Sequence, residues 1–310
     1  MPNTMTTAKR PWYMFYPLAG MLLLCAVWSG YWFVANREIQ QQIATEHKKL
    51  QTEGVDLQCG QKFWGGFPFR FEFTCLNLSF VSQQATITTP KLRAVAQAYN
   101  PFHILLLIDG PTTIAKGNVK LASVNHRNGI VSIQYDTSGN LDLRSEFFDI
   151  AVEGQAKAKS LRLFVRKQGD KIDLAGDTDA IVLQPSNTVV DRMAFVVATS
   201  AVKTETPVLD ITSVKLLAGP TNIKAQGQLE VNAAHKLSGK LTTQTNDIDA
   251  VLKLIAPMSG MNEQSGAALK SLLALQGNDP KLPAQKAEFT AKEGELYWGL
   301  MKIGNLEPLY

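Results

Sequence analysis

The chain has 310 residues, 45% hydrophobic and 19% charged, with a net charge of +4. This is the composition of a globular chain with somewhat few charges, long enough for one large or two small domains. Lys9 and Arg10 supply two of the positive charges, both signs are mixed over the rest, and no basic run forms a nucleic-acid footprint, so nucleic acid is excluded as a partner.

Pro11 to Asn36 contains no charged residue. Its apolar core, Pro17 to Ala35, makes a helix of about 28 Å, close to the ~30 Å hydrocarbon layer of a bilayer. Trp12, Tyr13 and Tyr16 lie at one end and Tyr31 and Trp32 at the other, as in aromatic belts. A cleaved signal peptide is the rival reading. Its apolar region is shorter, and Phe33-Val34-Ala35 puts a large residue where a small-x-small cleavage site is needed. Residues 1–36 are therefore expected to be a retained signal-anchor, a single membrane span. Cys25 reads as one apolar residue of that span.

Residues 37–54 are expected to form a helical stalk. Ile39, Ile43 and Leu50 lie along one stripe, and Gly54 ends the helix. Residues 55–310 alternate almost throughout. Phe69 to Cys75 has an apolar residue at every second position, the pattern of a half-buried strand. Similar runs follow up to Lys240–Thr243, then return at Lys286–Thr290 and Glu295–Ile303. Asn128-Gly129, Asp136–Asn140, Gln168-Gly169-Asp170 and Glu293-Gly294 are predicted turns, the first a hairpin signal. Asp247 to Gln276 has helical spacing, broken at Pro257–Gly260. The fold class is mainly β (α+β): a transmembrane helix and stalk, then a curved antiparallel sheet or groove with a C-terminal helical insertion. Ile108-Asp-Gly-Pro-Thr-Thr-Ile114 echoes Leu217-Ala-Gly-Pro-Thr-Asn-Ile223, each read as strand, Gly-Pro turn and strand. Two related halves, 55–165 and 180–303, are one explanation and shared turn chemistry is the other.

Cys59 and Cys75 are the only cysteines beyond the span. Gly65-Gly66 and Pro68 can fold the intervening loop back, and a bridge there stabilises by about 3 kcal/mol on the chain-entropy model. Such a bridge persists in an oxidising compartment, which places residues 37–310 outside the cytoplasm. Two unpaired buried thiols are the alternative. His47, His103, His126 and His235 are scattered, and Asp170, Asp173, Asp177 and Asp179 read as solvated loop charges. No catalytic, phosphate-binding, dinucleotide or metal motif is present, so no enzyme activity, cofactor or metal is expected.

Several segments together carry a resemblance. Cys59 through Cys75, with Gly65-Gly66-Phe67-Pro68-Phe69-Arg70-Phe71-Glu72, is similar to the Gly-Tyr-Pro-Phe-Arg-Phe signature of a bacterial envelope family catalogued as domain of unknown function 2125. Ala96-Gln-Ala-Tyr-Asn-Pro101, running into Ile108-Asp-Gly-Pro111, and Gly294 to Tyr310 resemble further segments of that family. The resemblance covers nearly all of the chain after the anchor. It implies a bacterial envelope location and no catalytic residues. Gly219 to Leu254 is loosely similar to AsmA-type envelope proteins, whose β-grooves hold lipid chains, an analogy of strand-turn rhythm. The resulting expectation is an inner-membrane protein with its bulk in the periplasm. Two functions stay open. One is a lipid or hydrophobe carrier, lined by Phe69, Phe71, Phe73, Ile104 and Leu106. The other is a scaffold binding another envelope component, a protein or peptidoglycan.

Overall fold

The computed structural model describes residues 12–117, 119–184, 187–200, 208–232, 234–247 and 285–306. A short 3-10 turn, Trp12–Phe15, leads into one unbroken helix, α1 (Tyr16–Thr52), of 37 residues. At 1.5 Å per residue α1 is about 56 Å long, nearly twice a bilayer's hydrocarbon core. The anchor and stalk expected from the sequence are thus one element, long and apolar enough to cross a membrane. It stops where Gly54 takes φ +80°. The Val55 amide then bonds the Leu50 carbonyl at 2.9 Å and the Gly54 amide that of Gln51 at 3.1 Å. This is the Schellman arrangement, and glycine enters it without Cβ strain.

The remaining described structure is a single antiparallel sheet of sixteen strands. They are β1 (Asp56–Gly65), β2 (Arg70–Val81), β3 (Thr86–Gln97), β4 (Asn100–Asp109), β5 (Thr112–Lys116), β6 (Val119–Tyr135), β7 (Leu141–Val152) and β8 (Ala156–Gln168). They continue as β9 (Lys171–Leu183), β10 (Thr188–Ser200), β11 (Val208–Ala218), β12 (Thr221–Val231), β13 (Leu237–Thr245), β14 (Gln285–Lys292), β15 (Glu295–Trp298) and β16 (Met301–Asn305). The strands lie in chain order, β5 excepted, and β1 and β16 form the two edges. The sheet is open, as a meander of hairpins is.

Two expected turns are corrected. Asn128-Gly129 does not reverse the chain. It lies inside the 17-residue strand β6, whose register against β7 shifts between Asn125 and Arg127 and again between Arg127 and Ile130. Asn128 adopts φ +50°, so its left-handed backbone makes a bulge where a hairpin was expected. Gly129 is needed there, because a Cβ would lie 2.7 Å from the Phe147 ring. Gly110-Pro111 is not a hairpin turn either. β4 and β5 both pair antiparallel to β3 and to β6, so they lie end to end in one strand position. Pro111 has no amide to donate, and the strand breaks at it. Gly219-Pro220, by contrast, is a tight turn between the partners Ala218 and Thr221. The echoed segments therefore pair differently. The helical insertion expected over Asp247–Gln276 lies, beyond Asp247, outside the described residues.

Side chains that face each other across antiparallel strands share a face. One row runs Phe73, Ala94, Leu106, Val131, Ser145, Leu163, Gly176, Phe195, Val214, Ala225, Thr243, Ala287. The next runs Phe71, Ala96, Ile104, Ile133, Leu143, Val165, Leu174, Val197, Ile211, Gly227, Leu241, Phe289. Neither contains a charge. On the opposite face, Arg93, Glu146, Arg162, Asp177, Lys215, Lys224 and Lys286 fall in a single row. The sheet thus has one apolar face, about 50 Å across at the usual strand spacing.

Candidate functional site

α1 joins this apolar face at its β1–β3 end, through three aromatic side chains at helical spacing. Trp28 Nε1 donates to the Pro68 carbonyl, Tyr31 Oη to that of Ala98 and Trp32 Nε1 to that of Arg70, each at 2.9 Å. Residues i, i+3 and i+4 share one side of a helix, so all three reach the β1–β2 and β3–β4 turns together. The Trp32 ring stacks on Phe71, centroids 5.8 Å apart, and both are buried with Ala98. Trp28, Ala35 and Ile39 pack around this cluster. The sequence predicts Tyr31 and Trp32 as an aromatic belt at the end of the span. That is corrected for Trp32, which is only 5% exposed because its ring and N–H both find partners in the sheet.

These contacts clamp α1 to the sheet, and beyond the clamp α1 and β1–β3 line a cavity of about 770 Å³. Ile43 and Leu50 line it from the helix, and Leu57, Trp64, Phe73, Leu78 and Leu92 from the sheet. The Trp64 and Phe73 rings lie 4.7 Å apart. Gln40, Glu46, His47 and Lys62 contribute polar atoms. The cavity wall includes Cys59 and Cys75, joined in a disulfide with Cα atoms 5.5 Å apart. Cys25 is a free thiol exposed on α1. Beyond the cavity, Asp56 closes the end of the helix. It accepts from Gln51 and Gln58 at 2.8 Å each and lies 3.2 Å from His47 Nε2. Those amide bonds, Gln58 first, hold its carboxyl below the usual carboxylate range.

Of the five proposed lining residues, four share the apolar face. Phe71 is closed against Trp32, Phe73 borders the cavity, and Ile104 and Leu106 sit two strands away in the same rows. Phe69 does not join them. It belongs to the turn before β2, its carbonyl accepts the Ala98 amide at 2.9 Å, and its side chain is 67% exposed. Gly66, at φ +99°, lets the turn close, with the Arg70 amide on the Gly66 carbonyl at 3.0 Å, and β2 starts one residue later than the alternation suggests. Trp28 and Trp64 were missed. The helical spacing of Trp28, Tyr31 and Trp32 was the available signal for the first.

Further along the sheet the apolar face is half-buried at Val131, Leu163, Phe195 and Val214. At β14 it is buried, with Ala287, Phe289 and Ala291 enclosed between exposed Lys286, Glu288 and Lys292. Of the four aspartates expected as loop charges, Asp170 lies exposed in the β8–β9 turn, as expected, and the other three are corrected, since Asp173 also lies in β9. Asp177 and Asp179 lie in β9, where cross-strand pairing sets them against Arg162 and Arg192 on the polar face. Among the described residues no three His, Cys, Asp or Glu side chains are grouped to hold a metal.

No curated protein matches the chain. Residues 32–307 match a family described as an uncharacterized protein conserved in bacteria (DUF2125), and the chain belongs to that family.

Proposed function

We propose that the protein is held in the bacterial inner membrane by α1, with the sheet outside the cytoplasm, and that the sheet's apolar face holds acyl chains or another hydrophobic ligand. The observation that carries this reading is the pair of charge-free rows from β2 to β14, whose large apolar side chains are half-buried or exposed along their middle. Leaving so much apolar surface partly open costs free energy roughly in proportion to its area, unless a ligand covers it. The location is supported by the length and apolarity of α1 and by the Cys59–Cys75 bridge.

The test compares wild type with Phe195→Asp, a change in the middle of the face. Both full chains are purified in the same detergent, and bound phospholipid is counted by native mass spectrometry. Lipid around α1 contributes equally to both, so a difference reports the sheet. Less lipid on the variant, with an unchanged β circular-dichroism spectrum, supports the reading. Equal lipid on two folded proteins rejects it and leaves a scaffold. An outward-only reporter fused to the C-terminus tests the orientation, which an inactive fusion at normal expression rejects.

A further inference from the structure

The clamp fixes which end of the sheet lies beside the bilayer. Trp28 to Phe33 meet the β1–β2 and β3–β4 turns, while Leu50 and Gln51 reach the other end, beside Leu57 and Leu78. The turns at the clamp carry exposed aromatic side chains. Phe67 is 51% exposed, Phe69 67% and Tyr99 70%. The Phe67 ring stacks on Phe33, centroids 5.6 Å apart, and meets Trp32 edge-on at 5.3 Å. Phe33 belongs to the uncharged run of α1, and Arg37 is the first charge after it. Four residues of helix put Phe33, and Phe67 with it, about 6 Å to the membrane side of Arg37.

The backbone of these turns suits that depth. A carbonyl at the edge of the hydrocarbon is costly unless the protein bonds it. Here the carbonyls of Pro68, Arg70 and Ala98 accept from Trp28, Trp32 and Tyr31. Those of Gly66 and Phe69 accept from the Arg70 and Ala98 amides. Pro68 has no amide to leave unpaired.

We infer that Phe67, Phe69 and Tyr99 are seated in the interface of the same bilayer that α1 crosses, so that lipid covers this aromatic rim. The inference rests on α1 spanning the membrane. It is tested in the full chain, reconstituted in vesicles of phosphatidylethanolamine and phosphatidylglycerol. The environment-sensitive fluorophore NBD is attached at one cysteine at a time. The sites are the native Cys25, and Phe69→Cys, Tyr99→Cys or Gln84→Cys, each of these with Cys25→Ser. Gln84 is exposed in the turn between β2 and β3, at the far end.

Probes at 69 and 99 are expected to shift to the blue and to lose emission when nitroxide-bearing lipid is included, as the probe at 25 does. The probe at 84 keeps its emission. Probes at 69 and 99 that behave like the one at 84, while the one at 25 is quenched, overturn the rim and leave the span intact. An unquenched probe at 25 overturns the span, and the rim with it. Two rim positions are used so that the loss of one aromatic contact does not decide the outcome.

Discussion

The ring of Trp32 stacks on that of Phe71, centroids 5.8 Å apart and planes 23° apart, and joins the helix to the second strand of the sheet. The same indole bonds the Arg70 carbonyl, so one side chain supplies both packing and polar pairing at the junction.

Trp32→Phe keeps most of the packing and leaves the Arg70 carbonyl without its donor. It is expected to weaken the junction by about 1–3 kcal/mol. Trp32→Ala also opens a cavity and is expected to cost about 3–5 kcal/mol. Chemical denaturation followed by the near-ultraviolet aromatic signal measures both. Equal stability of the two variants would mean that the ring contributes nothing beyond its N–H.

Replacing Cys59 or Cys75 by Ser removes the cross-link between β1 and β2 and is expected to cost about 2–5 kcal/mol. The urea midpoint should fall for either variant, and for wild type under reductant. Thiol labelling of the unreduced, denatured wild type should find Cys25 alone. Labelling at Cys59 and Cys75 would contradict the bridge.

Phe71→Asp and Phe73→Asp lie two residues apart on one face yet are expected to differ. At Phe71 the carboxylate enters the closed cluster with Trp32 and Ala98, where an unpaired charge costs several kcal/mol, of order 3–5. The junction should come apart, read as faster proteolysis between helix and sheet. At Phe73 it faces the cavity, where water can reach it, so the β spectrum should survive and bound lipid should fall. Unfolding of both variants to the same extent would show that the cavity is closed core.

His126 lies beside the Phe147 ring and 3.0 Å from Thr112 Oγ1. Burial lowers its pKa, and the charge of Asp109 opposes that shift only in part. A histidine with a folded pKa below its unfolded value, about 6.5, binds its proton more readily when unfolded. Stability should therefore be unaffected by this group above that pH. It should fall as pH drops through the unfolded value and level off below the folded one. His126→Gln should remove that part of the pH dependence between neutral and mildly acid solution. An unchanged profile in the variant would assign the dependence to other groups.

The large features were legible because they rest on local chemistry. A charge-free run of helical length, a Gly at a helix end and period-2 alternation each have few structural solutions. The cysteine pairing followed from two thiols and a foldable loop. Asn128-Gly129 misled because a left-handed Asn serves a bulge as well as a hairpin, and only the neighbouring strands decide which. Gly110-Pro111 misled for a similar reason, since a break in a strand and a reversal of it use the same residues. Phe69 fits the alternation of its strand but is claimed by the turn before it. The clamp was invisible for a different reason. The aromatics that hold the sheet lie in the same stretch that reads as a membrane belt, and the carbonyls they bond carry no sequence signal.

Because the strands lie almost wholly in chain order, each new strand finds its partner in the strand just completed. Except between β13 and β14, which pair residues 40 or more positions apart, the sequence separation of paired residues stays modest, which keeps the entropy of loop closure low for so large a sheet. The disulfide hairpin of β1 and β2 comes first, and every later strand adds to an edge that already exists. A chain that emerges from its amino terminus can therefore fold as it emerges, with β4 and β5 completing one strand position before β6 crosses both.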